Sequence, residues 1–86
     1  MTIKVSKDEL QLIEQIVDVK QQFYIADHSS EQFVKLSFQS LDRALELDDL
    51  VKVKLQTEGF DEKYKPNEVG RICESIIDKL HNILNQ

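Results

Sequence analysis

Val69, Cys73, Ile76, Leu80 and Ile83 step by four, three, four and three residues, and Ile72, Ile77 and Leu84 lie beside them. At about 3.6 residues per turn these positions fall on one broad apolar face of a helix. Pro66 and Asn67 supply the start signal, since proline suits a first helical turn and asparagine caps it. The spacing predicts a helix running from there nearly to Gln86, about 19 residues and 28 Å long. A helix this apolar on one side is stable only when that side is covered. The rest of an 86-residue chain has to provide the cover, so residues 1–86 read as a single domain.

The remaining elements follow from shorter signals. Ser6 and Glu9 stand in the spacing of a capping box and open a helix over residues 6–20, with Leu10, Ile13 and Val17 on its apolar stripe and Leu12, Ile16 and Val19 widening it. Gln22 to Ala26 read as a short strand ended by the polar turn Asp27 to Ser30. Ser29 or Ser30 then caps a second helix carrying Val34, Phe38, Leu41 and Leu45 and closing at Asp48 and Asp49. Residues 50–57 alternate, with Val51, Val53 and Leu55 on one side and Lys52, Lys54 and Gln56 on the other, which is the pattern of a strand. Thr2–Val5 alternates too, which allows one more strand. The expected fold is a small α/β (α+β) sandwich of αβαβα order, with or without that N-terminal strand, its helices packed on a short sheet. A strand, a helix and a strand in succession suit a right-handed crossover between parallel strands.

Composition narrows the function classes. The chain has 11 basic and 16 acidic residues, a net charge of −5, so nothing in the total attracts nucleic acid over long range. No apolar run is long enough for a membrane span, and the opening Met1 to Ser6 lacks the apolar core of a secretory signal, pointing to a cytoplasmic protein without a membrane partner. The one cysteine, Cys73, lies on the apolar stripe, where it acts as a small hydrophobe. His28 and His81 have no acid or thiol at ligand or triad spacing. Gly59 and Gly70 form no phosphate-cradling loop, and the acidic pairs Asp48–Asp49 and Asp61–Glu62 read as solvated surface. The expectation is a non-enzyme with no metal and no cofactor.

Two binding surfaces remain. Lys52 and Lys54 on a strand face, Lys63 and Lys65 in the loop after it and Arg71 in the last helix form a candidate basic patch, interleaved with Glu58, Asp61, Glu62 and Glu68. Phe60 and Tyr64 in the same loop are placed to stack on bases. Separately, the last helix is longer than a short sheet needs, so its C-terminal turns offer Cys73, Ile76, Leu80, Ile83 and Leu84 to a protein partner.

The segment Leu41-Asp42-Arg43-Ala44-Leu45-Glu46-Leu47-Asp48-Asp49-Leu50-Val51-Lys52-Val53-Lys54-Leu55 resembles the CRM domain, the chloroplast RNA splicing and ribosome maturation module whose stand-alone bacterial form is YhbY. In that family a helix ending in an Ala-Leu-Glu-like run passes through a polar turn into a Leu-Ile-Lys-Val-Lys-like strand. The likeness extends loosely over residues 6–77, through Ser6-Lys7, Phe23 to Ala26 and Asn67-Glu68-Val69. The place of the family's glycine-rich loop is taken by Asp27-His28-Ser29-Ser30-Glu31-Gln32, and its last strand by helix. The resemblance implies a small RNA-binding protein of ribosome maturation or RNA processing, acting on ribosomal or intron RNA through Lys52, Lys54, Lys63, Lys65, Arg71, Phe60 and Tyr64. The alternative reading is an acidic protein-interaction module, a homodimer or an inhibitor of the kind mobile elements encode, docking through the last helix or a strand edge.

Overall fold

The computed structural model describes residues 1–18 and 21–85. The chain runs β1 (Thr2–Val5), α1 (Lys7–Ile16), β2 (Tyr24–Asp27), β3 (Val34–Phe38), α2 (Leu41–Glu58) and α3 (Glu68–Leu84). It is a small α+β domain of three helices on a three-stranded antiparallel sheet, in the order β1-β3-β2. The expected N-terminal strand is present. The expected crossover between parallel strands is not: residues 50–57, its second strand, are helical, and both pairings in the sheet are antiparallel.

Register puts one face of the sheet in the core. Ile3 lies opposite Leu36, Val5 opposite Val34 and Tyr24 opposite Phe38, with Ala26 across from Leu36 on the other side. Ile3, Val5, Val34, Leu36 and Phe38 are buried beneath the helices, joined by Leu10, Leu12 and Ile13 from α1. The outward residues Thr2, Lys4, Ile25, Asp27 and Lys35 are exposed. The helices thus cover one side of the sheet, and water covers the other.

Two of the expected elements are replaced. Residues 34–38, assigned to a helix, form β3, because Val34, Leu36 and Phe38 recur with the two-residue period of a half-buried strand. Residues 50–57, assigned to a strand, are the second half of α2. The cap of α2 is Ser40, not Ser29 or Ser30; its Oγ accepts the Arg43 N–H at 3.3 Å. Ser29 and Ser30 close the β2–β3 loop instead: Ser29 N–H donates to Asp27 Oδ1 at 2.9 Å, and Ser30 Oγ accepts from Gln32 N–H at 3.2 Å. Asp48 and Asp49 lie in mid-helix. The first helix starts where its capping box places it, with Ser6 N–H donating to Glu9 Oε1 and Glu9 N–H to Ser6 Oγ, and it ends at Ile16. Val19 and Lys20, the end of its expected range, lie outside the described residues, as does Gln86.

The junction of α2 and α3 is fixed by one side chain. Asn67 Oδ1 caps α3 by accepting the Gly70 N–H at 2.9 Å, while its Nδ2 donates to the carbonyl of Glu58 in the last turn of α2 at 2.8 Å. Its backbone N–H bonds the Gly59 carbonyl at 2.9 Å. Asn67→Ala therefore strips a polar partner from two helix ends at once and is expected to cost about 1–2 kcal/mol. In a domain of this size that lowers the melting temperature by roughly 4–16 °C, and an unchanged thermal melt would refute the double-cap role.

Candidate functional site

The loop between α2 and α3 is built around Asp61. Its carboxylate Oδ1 accepts the backbone N–H groups of Lys63 at 2.8 Å and Lys65 at 3.0 Å. Its backbone carbonyl accepts the Tyr64 N–H at 3.0 Å, and its N–H donates to the Lys65 carbonyl at 2.9 Å. Phe60 and Pro66 pair across the base of the loop. The result is a tight turn that holds Tyr64 at φ 61°, in the left-handed region that costs a non-glycine residue about 1–2 kcal/mol. Tyr64 is 87% exposed, with a lysine on each side in the sequence, and Phe60 at the base is 40% exposed. Among the described residues Lys63, Lys65 and Arg71 form no ion pair.

The expected basic patch is divided. Lys63, Tyr64 and Lys65 share one turn, with Phe60 at its base, and Arg71 is exposed in the second turn of α3. Lys52 and Lys54 were expected to share a strand face, but two residues apart on a helix they point about 200° apart. Both are also neutralised locally. Lys52 Nζ lies 2.7 Å from Asp48 Oδ2, and Lys54 is bonded to Glu58, each an acid one turn away on α2. The hydrogen bond and charge of Asp48, with Asp49 beside it, hold the Lys52 ammonium above the usual lysine value.

The expected protein-docking face on the last helix is also corrected. Cys73, Ile76 and Leu80 have no exposed surface, because α3 is the element packed against α1, α2 and β1. At 17 residues, about 26 Å, α3 does not overhang: Ile83 and Leu84 at its end are half-buried against the same core. Its apolar stripe is a core stripe. α3 is further clamped to α1 through Glu9, a buried carboxylate that accepts Ser75 Oγ at 2.8 Å and Lys79 Nζ at 2.5 Å. Burial pushes the Glu9 carboxyl up, but the hydrogen bonds from Lys79, the Ser6 backbone and Ser75 outweigh it and hold the group below the ordinary carboxylate value.

Three further features were not anticipated. Asp48 is buried with Oδ1 lacking a hydrogen-bond donor, and His81 Nε2 stands 3.9 Å from that oxygen across the α2–α3 interface. Among the described residues no three His, Cys, Asp or Glu side chains gather closely enough to hold a metal ion. A wide cleft between α1 and the β2–β3 loop is lined by Lys7, Gln11, Glu14, His28 and Glu31 and has mixed charge. A narrower groove of about 370 Å³ lies where the end of α1 and the segment before β2 meet the outer side of α2. Its apolar lining is Ile16, Phe23, Leu50 and Val53. Asp18, Glu46 and Asp49 carry its charge, and Gln21 completes it. The signal for this groove was Val53, an apolar residue that on a helix faces away from its buried neighbour Val51.

Among the described residues no helix is long and apolar enough to cross a membrane. Compared with protein-family models, curated proteins and solved structures, the chain matches none.

Proposed function

We propose that this protein is a non-catalytic module that binds single-stranded RNA through the Phe60–Lys65 loop, with Tyr64 stacking on a base and Lys63, Lys65 and Arg71 contacting phosphates. The reading rests on one observation: a tyrosine kept almost wholly in water, at a left-handed backbone position, by a turn that Asp61 ties together. A turn whose backbone is already fixed saves the entropy of ordering the loop on binding. Base stacking returns about 1–3 kcal/mol per ring and does not depend on sequence. RNA binding is also what the CRM-like segment implies, with ribosome maturation or RNA processing in the cytoplasm as the setting and ribosomal or intron RNA as the ligand. The acidic total of the chain makes the attraction local to the loop.

The test is fluorescence anisotropy with a short labelled single-stranded RNA of mixed sequence. Tyr64→Ala is expected to weaken binding about 5- to 150-fold, the equivalent of one lost stack. With three phosphate contacts, log K should fall against log salt with a slope of about −2, and replacing Lys63, Lys65 and Arg71 by Gln should bring that slope close to zero. Lys54→Gln should change little, because Glu58 already holds that charge. No binding by the wild-type chain, or binding indifferent to Tyr64 and to the three cations, would overturn the reading.

A further inference from the structure

We propose that the groove beside α2 is a docking site for a basic peptide segment of a protein partner, in which an apolar side chain flanked by lysine or arginine enters over Phe23, Leu50 and Val53 and its cations meet Glu46 and Asp49. This goes beyond the RNA reading and uses none of its residues.

Shape and polarity come first. The groove's volume, about 370 Å³, lies within the range of ordinary ligand clefts, and its floor is apolar. Val53 is 57% exposed on the side of α2 turned away from the core, where a solvated helix would ordinarily carry a polar residue. Leu45, two turns before it, is exposed as well.

Charge then selects the occupant. Every charged residue among the groove's described lining is acidic. The chain shows on a small scale what such a surface takes: Arg43 lies over the Phe23 ring, 5.2 Å from its centre, and donates to Glu46 at 3.2 Å. An aromatic ring and a carboxylate together make a favourable seat for a guanidinium. A second copy of this chain, with net −5, would bring like charge to the rim, and RNA would bring phosphates to the carboxylates of Glu46 and Asp49. A peptide with an apolar anchor and cationic flanks satisfies both the floor and the rim.

The experiment uses the full chain and a fluorescein-labelled peptide of sequence Lys-Arg-Phe-Leu-Arg-Lys, read by anisotropy and by amide chemical shifts in NMR. Three control peptides are the same length: one with Glu in place of the cations, one with Gly in place of Phe and Leu, and one of scrambled order. The basic apolar peptide is expected to bind and to shift the amides of residues 46–53. The acidic peptide should not bind, and the glycine peptide should bind at least 10-fold more weakly. Asp49→Lys and Val53→Glu, both on exposed positions, should each weaken the wild-type interaction at least 10-fold with the fold intact by circular dichroism. Tyr64→Ala should leave it unchanged, which separates this proposal from the RNA reading. The proposal is overturned if the basic peptide fails to bind, if the glycine peptide binds as well as it does, or if both groove variants bind normally. Concentration-dependent dimerisation abolished by Val53→Glu would also overturn it, by assigning the groove to a second copy.

Discussion

Gly70→Ala should unfold this protein at far lower denaturant than wild type, although alanine is the better helix former by about 1 kcal/mol. A Cβ added at Gly70 would sit 2.1 Å from the Gly59 carbonyl oxygen and 3.0 Å from its carbon. These are backbone atoms at the end of α2, and that carbonyl is also the acceptor of the Asn67 N–H. The first turn of α3 and the end of α2 therefore meet backbone to backbone, and a methyl group can be admitted only by moving one helix off the other. Overpacking of this kind costs roughly 3 kcal/mol or more when the opposing atoms cannot rotate away. With a urea slope of about 1.5 kcal/mol per molar, the midpoint should fall by about 2 M. A midpoint equal to or above that of wild type would show that the two helices separate freely.

Glu9→Ala is expected to cost about 2–3 kcal/mol, because one carboxylate serves two tasks. It returns the capping box of α1 to the Ser6 N–H, and it bonds Ser75 and Lys79 of α3 more than sixty residues later. Removing it uncaps one helix and leaves a half-buried hydroxyl and an ammonium without their acceptor. Lys79 keeps 36% of its side chain in water, which places the loss below that of a fully buried pair. The same group sets an acid limit. The folded protein holds Glu9 below the ordinary carboxylate value, so its contribution is complete above about pH 4.5, where the unfolded chain is also ionised, and is lost as pH falls through the folded value. The difference in urea stability between wild type and Glu9→Gln should therefore shrink as pH is lowered from 6 through the folded value of Glu9. A difference independent of pH would mean that the charge of Glu9 contributes nothing.

The signals that proved legible in the sequence are those in which a local interaction and burial agree. Ser6 and Glu9 marked the start of α1 because the capping box is complete within four residues. The apolar steps from Val69 to Leu84 marked α3 because almost every turn of that helix touches the core. The centre of the chain was misread for the opposite reason. Val51-Lys52-Val53-Lys54-Leu55 alternates as a strand does, yet Val51 is buried and Val53 exposed, so burial there does not follow the alternation. The acid–base pairs Asp48–Lys52 and Lys54–Glu58, each spaced by four, favour the helix and were the stronger sign. Val34 to Phe38 carried the two-residue period of β3, but Leu41 and Leu45 extended Val34 and Phe38 into a helical series. Shifting these two elements separated Lys52 from Lys54 and broke up the expected patch. The turn with Tyr64 stayed together, because Asp61 organises it by contacts within five residues. The groove had Val53 alone as its signal, since its walls form only where α1, the segment before β2 and α2 meet.

The single thiol of the chain, Cys73, sits in the core on α3 with no surface exposed, and burial pushes it above its ordinary pKa. A reagent reaches it only in molecules whose last helix has lifted from α1, α2 and β1. Alkylation in native buffer is therefore a clock for that opening: an opening free energy of about 5 kcal/mol slows labelling by nearly four powers of ten. Because each molecule carries one such thiol, a single mass shift counts each opened chain once. Any ligand that binds only the closed form slows the clock by a factor of one plus its concentration over its Kd.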